Sequence, residues 1–188
     1  FFINGVDTET EGVDVVMSYP WDTGGSGRFD FTLTANVNST DVTRVPTTAQ
    51  LAALDPAPVL FERLNVLTFE EGTPENKFAL GINWSLERFG ATLRATRYGD
   101  ALSPDTAATY TSTTINDVVL SATTLIDLEV RLEITESLRD AVGAENLTDE
   151  YPDPNPPVVN STGTTSFSNY SPFGRSGRFV YGRLSYRF

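Results

Sequence analysis

The sequence predicts an all-β protein, an antiparallel up-and-down transmembrane β-barrel of about eight strands. Three observations predict it. Apolar and polar residues alternate with a period of two in segment after segment, short turns alternate with long loops, and the last strand ends on a bare Phe188. A period of two sends successive side chains to opposite faces of a strand, giving each segment one oily and one wet face. Strict alternation of short and long connections puts all short turns at one end of a meander and all long loops at the other. That is the layout of outer-membrane barrels. A soluble β-sandwich also alternates, but strands of about 11 residues at roughly 3.3 Å each, tilted ~45°, rise about 25 Å, the height of a barrel's apolar band.

The elements follow in order. Val13, Val15, Met17, Tyr19 and Trp21 alternate with Asp14, Val16, Ser18 and Pro20; the Gly-rich turn TGGSG then leads to Phe29, Phe31, Leu33, Ala35 and Val37, which alternate with Asp30, Thr32, Thr34 and Asn36. This is a hairpin. Residues 39–76 are irregular, with Pro46, Pro56, Pro58 and Pro74, and within them LFERLNVLTFEE suits either a short helix or an extra hairpin. Phe78, Leu80, Ile82, Trp84 and Leu86, a tight turn at Glu87-Arg88, and Phe89, Ala91, Leu93 and Ala95 make a second hairpin. A loop rich in Thr, Ser, Ala and Asp spans 99–121. In TTLIDLEVRLEI, Ile126, Leu128, Val130, Leu132 and Ile134 face one way, and Asp127, Glu129, Arg131 and Glu133 the other. A turn near Glu136 precedes LRDAVGAENL, a strand whose alternation has no clear phase, and a Pro-rich loop from Tyr151 to about Ser176 delivers the closing strand 177–188. Trp21, Phe29, Phe31, Trp84, Phe89, Tyr186 and Phe188 all fall near the short-turn end, as an interfacial aromatic girdle requires.

Composition narrows the function. With no Cys and no His, the chain lacks thiolate chemistry and the commonest general base and metal ligand. No catalytic motif is present and no cofactor is expected. Twenty-five acids against thirteen bases, a net charge of −12, argue against nucleic acid, whose phosphates attract Lys/Arg-rich faces. No run approaches the roughly 20 apolar residues of a spanning helix. The opening FFINGVDTETEG reads as a strand cut short, and so as the start of a fragment.

Motif order then carries a family resemblance. AENLTDEYPDP (144–154), followed by YSPFGRSGRFVYGRLSYRF (170–188), resembles the C-terminal end of TonB-dependent outer-membrane receptors; GVDVVMSY (12–19) and FGATLRATRYGD (89–100) resemble that family's strand openings and hairpins. The resemblance implies a 22-stranded barrel filled by a plug, of which residues 1–188 would be the C-terminal part. The plug and earlier strands are absent from this sequence. It further implies active uptake of a scarce nutrient across the bacterial outer membrane: a siderophore-like chelate, a vitamin or a carbohydrate, the small-molecule ligand itself being unreadable. The implied partners are outer-membrane lipid, the remaining strands and plug of the same receptor, TonB through that plug, and the barrel-assembly machinery. The last would read Val180, Leu184, Tyr186 and Phe188, with Gly182 departing from the pattern. The alternatives are a complete small eight-stranded barrel with a structural or adhesive role, and a soluble sandwich-type binding module.

Candidate site residues come from the wet faces. Asp127, Glu129, Arg131, Glu133, Arg183 and Arg187, together with Asp14, Asp30 and Arg94, are expected to face the lumen, where opposite charges pair across strands. The external loops 39–76, 100–121 and 149–175 are expected to contribute to ligand capture. Asp149, Glu150 and Asp153 loosely match calcium's demand for six to eight oxygens. Gly24-Gly25-Ser26-Gly27 lacks the following Lys-Ser/Thr of a phosphate cradle and reads as a hairpin turn.

Overall fold

The structure is a computed structural model that describes residues 5–105, 116–160 and 162–188. The chain opening Phe1–Asn4 and part of the 99–121 loop lie outside the described residues. The strands are β1 (Asp7–Asp22), β2 (Arg28–Arg44), β3 (Asn76–Leu86), β4 (Phe89–Tyr98), β5 (Ala101–Ser103), β6 (Val118–Leu120), β7 (Thr123–Glu133), β8 (Leu138–Glu145) and β9 (Phe179–Tyr186). Two helices, α1 (Ala49–Ala52) and α2 (Arg63–Glu70), lie between β2 and β3.

Seven strands form one antiparallel sheet in the order β1-β2-β3-β4-β7-β8-β9. Sequence neighbours pair throughout, and the one apparent skip is the separate β5-β6 ladder carried in the β4–β7 loop. The sheet does not close. β1 and β9 are its two edges and do not pair with each other, and among the described residues this sheet holds seven strands where about eight were expected.

Register turns alternation into two continuous faces. One row runs Trp21, Phe29, Trp84, Ala91, Val130, Val142, Gly182 across all seven strands. The adjacent row on the other face runs Pro20, Asp30, Asn83, Thr92, Glu129, Gly143, Tyr181. β8, which had no phase in the sequence, takes one from its neighbours: Val142 and Ala144 join the oily face, Ala141 and Gly143 the polar one. Asp140 is an exception, lying on the oily face between Leu132 and Leu184.

Among the described residues no layer covers the oily face. Val13 and Val180 are each 64% exposed and Leu184 69%, and among the described residues only Ala101, Leu120, Ala141 and Ala144 are buried apolar ones. A soluble monomer rarely leaves so long an apolar surface in water. At its short-turn end this face carries the aromatic girdle: Trp21 and Phe29 ring centroids lie 5.9 Å apart and Tyr186 and Phe188 5.2 Å. Trp84 donates its indole N–H to the Ser26 carbonyl at 2.8 Å, keeping its polar tip satisfied at the turn.

Of the two alternatives for LFERLNVLTFEE, the structure takes the helix: α2 lies within it, with Leu64, Leu67 and Thr68 half-buried on one side while the Phe61 and Phe69 rings meet at 5.6 Å. One region differs from expectation. The first hairpin is longer than its alternation, continuing to Asp7 and Arg44 with Thr8, Glu9, Thr10 and Glu11 opposite Val42, Asp41, Thr40 and Ser39. Both faces are wet there, so no hydrophobic period marks the extension.

Candidate functional site: a charged wall beneath interlocked loops

The polar face is built around Glu129. Its Oε1 lies 3.3 Å from Arg131 Nη1, and its Oε2 accepts from Arg183 Nη2 at 2.9 Å and from the Tyr181 hydroxyl at 2.9 Å. Arg131 continues the network, donating to Thr92 Oγ1 at 2.8 Å and Asn83 Oδ1 at 2.6 Å. The Glu129 side chain is only 14% exposed, and three donors satisfy the oxygens it withdraws from water.

Topology explains how Tyr181 reaches Glu129 from two strands away. Gly143 lies between them in the same row, and a Cβ there would stand 2.5 Å from the Tyr181 ring carbon Cζ. The ring therefore lies over a residue with no side chain. Arg131 likewise crosses Gly90, where a Cβ would stand 3.2 Å from its Nε. Ion pairs flank the network: Glu133 with Arg139 at 2.6 Å across the β7–β8 hairpin, and Arg28 with Asp30 at 2.8 Å along β2.

The structure places Asp127, Glu129, Arg131, Glu133 and Arg183 on this face, with Asp14, Asp30 and Arg94. It does not bring all of them together. Asp14 accepts from Asn36 Nδ2, Asp127 accepts the Asn146 backbone N–H at 2.9 Å, and Arg94 has no side-chain partner among the described residues. Arg187 lies just beyond β9, tied by its N–H to the Ser137 carbonyl. Of the two bridges to Glu129, that from Arg183 crosses strands, spanning two, and that from Arg131 joins neighbours along β7.

Above this wall the three long connections interlock. Glu70 of α2 accepts the Val42 N–H, Leu102 of β5 donates to the Glu71 carbonyl, and Thr68 bonds Tyr170 of the Pro-rich loop at 3.0 Å. Ser168 donates to Ser103 at 2.7 Å, Ser121 N–H reaches Asp153, and the Tyr98 and Phe173 rings lie 5.9 Å apart. Arg63 of α2 forms a forked pair with Asp117, which also accepts the Asp105 N–H. Hydrogen bonding from Arg63 holds the Asp117 carboxyl below the usual carboxylate range, against the opposing pull of burial.

The calcium pattern does not assemble. Asp149 accepts the Arg178 N–H and Asp153 the Ser121 N–H, so their carboxylates serve different junctions. Among the described residues no cluster of acids is spaced to hold a metal ion. Sequence reasoning missed Asn83, Thr92 and Tyr181 as members of the Glu129 network. The available signal was Gly143, an interior strand glycine, which marks close approach of another group.

No family model matches the sequence, and no curated protein matches it. Solved structures do. The ferripyoverdine receptor of the outer membrane of Pseudomonas aeruginosa, bound to ferripyoverdine, superposes with a TM-score of 0.58 at 12% identity, over 97% of this chain and 20% of its own. The pyoverdine outer membrane receptor FpvA from strain PAO1 gives 0.59 at 11%, over 97% and 22%. The FpvAI complex with pyocin S2 gives 0.59 at 11%, over 96% and 19%. This chain thus spans about a fifth of the length of the structures it matches. Its fold is that of a stretch of barrel wall, and these neighbours are receptors rather than enzymes.

Proposed function

We propose that this chain is the C-terminal part of the barrel of a TonB-dependent receptor, which takes up a scarce nutrient across the bacterial outer membrane. The observation that carries this reading is the uncovered oily face, continuous across seven strands and ending in an aromatic girdle. Lipid is the partner that such a face fits. The open edges β1 and β9 fit the same reading. Unpaired backbone groups cost several kcal/mol each in hydrocarbon, so both edges need the remaining strands of a larger barrel. A complete small barrel would pair them with each other.

In this reading the Glu129 wall lines the lumen against the plug, and the interlocked loops face outward to meet ligand. Transport then needs no covalent chemistry from this chain. TonB acts through the plug and supplies the energy. Val180, Leu184 and Tyr186, on the oily side of the last strand, and Phe188 just beyond it are the side chains the barrel-assembly machinery would recognise. A siderophore-like chelate is the first ligand to test, because the matched receptor is one bound to ferripyoverdine.

The test is fractionation followed by uptake. The protein is expected in the outer-membrane fraction, extracted only by detergent, with ligand accumulation abolished when TonB is removed. Recovery as a folded monomer in plain buffer, with Ile126, Leu128 and Val130 inside a dry interior, would overturn the membrane assignment. Uptake indifferent to TonB would overturn the transport mechanism alone.

A further inference from the structure

We propose that the turn Asn146–Tyr151 is a register clamp that sets how the last strand pairs with the sheet. The need for one is visible in β8 and β9. They are joined by the long connection 146–178, so no tight hairpin turn dictates their alignment. Their side-chain patterns are also weak: Phe179 and Tyr181 lie on the polar face, Gly182 and Asp140 on the oily one. A slide of two residues would keep every side chain on its own face.

The turn grips both neighbours of this connection. Asn146, at φ +50°, ends β8 and donates its N–H to Asp127 Oδ1, while Leu147 N–H donates to the Ile126 carbonyl at 2.7 Å; the turn is thereby tied back to β7. The Asn146 side chain brackets Glu150, donating to its carbonyl at 2.7 Å and accepting its N–H at 2.9 Å. That bracket holds Asp149, at φ +63°, where its Oδ1 accepts the Arg178 N–H at 2.8 Å. Arg178 Nη1 returns a bond to the Leu147 carbonyl at 3.3 Å. Gly177, at φ +67°, passes under Tyr151, whose hydroxyl a Cβ at that position would strike.

Arg178 is therefore held immediately before the first β8–β9 pair, Glu145 with Phe179. Sliding β9 by two residues would carry Arg178 roughly 7 Å from Asp149 and would also pull Tyr181 off Glu129. The clamp and the Tyr181 contact specify the same register. This inference concerns strand pairing alone and stands whether or not the chain transports anything.

Residues 1–188 contain no cysteine, so two thiols introduced there have no competitor within this stretch, and any cysteine elsewhere in the full-length protein is first replaced by serine. In the full-length protein folded in its own membrane, Ala144→Cys with Val180→Cys reports the native register. Ala144→Cys with Gly182→Cys, and Val142→Cys with Val180→Cys, report slides of two residues in either direction. The native pair is expected to oxidise about ten-fold more than either slipped pair, and Asn146→Ala or Asp149→Ala is expected to erase most of that preference, the change expected from losing one or two net hydrogen bonds. Asp149→Asn keeps the acceptor oxygen and is expected to retain the native pairing. Alanine variants that still form only the native disulfide overturn the clamp, as does Asp149→Asn slipping as far as Asp149→Ala. Loss of all three disulfides in both alanine variants also overturns it, because a register device predicts re-pairing rather than loss of the strand.

Discussion

At the scale of single residues, Gly143 and Tyr181 act as one unit. Gly143→Ala would push the ring off Glu129, and because a hydrogen bond to a charged group contributes about 1.5–3 kcal/mol, the substitution is expected to cost roughly that much, read as a lower urea midpoint in micelles. In a Tyr181→Ala background the same substitution should cost almost nothing, since the clash is gone; such non-additivity is the mark of a coupled pair. Asp117 gives a pH prediction. Its carboxyl is depressed by Arg63, so the pair's contribution is present above the unfolded value near ~3.9 and is lost as pH falls through the lower folded value. Amide exchange in α2, corrected for intrinsic rates, is expected to stay flat from neutral pH down to about pH 4 and to rise only below it. Asp117→Asn should remove that acid step.

At the scale of the element, the two faces of a strand should respond in opposite ways to one kind of change. Leu128 lies mid-strand on the oily face between Leu93 and Ala144, whereas Thr34 lies on the polar face opposite Val16 and Ala79. An arginine facing lipid near the bilayer midplane costs about 2–4 kcal/mol. Leu128→Arg is therefore expected to lower the yield of folded protein sharply, while Thr34→Arg should stay within roughly ±0.5 kcal/mol of the parent. Equal penalties at both positions would mean that water, or protein, covers both faces alike. Heat-modifiable mobility on gels would read the outcome directly. The aromatic girdle offers a milder case: Trp84→Ala should loosen the first turn by removing the bond to Ser26, with faster exchange at Gly24–Gly27 and little change at β7.

At the scale of the whole molecule, the deciding facts are the open edges and the missing second layer. A seven-stranded sheet with few buried apolar side chains cannot draw its stability from a protein core, since burial of apolar area is the main favourable term in folding. The polypeptide 1–188 produced alone is expected to need detergent and to self-associate along β1 and β9, as unpaired strand edges do. Light scattering that showed a monodisperse monomer without detergent would contradict this.

Much of this fold was legible in the residues themselves. Alternation such as Ile126 to Ile134 against Asp127 to Glu133 identifies both a strand and its faces, because side-chain direction in a strand depends only on parity. The order of short and long connections likewise specifies the meander, as neighbours joined by tight turns must pair. Parity fails where both faces meet the same environment or where small residues break the pattern. The wet extension of β1 and β2, the β5-β6 ladder and the phase of β8 were therefore decided only by pairing across strands. The helical state of α2 was settled by the loops it packs against, and the Glu129 cluster by register, which brings Asn83, Thr92, Glu129, Gly143 and Tyr181 into one row from positions far apart in the chain. Local sequence carries direction. Distance between strands is a property of the assembled sheet.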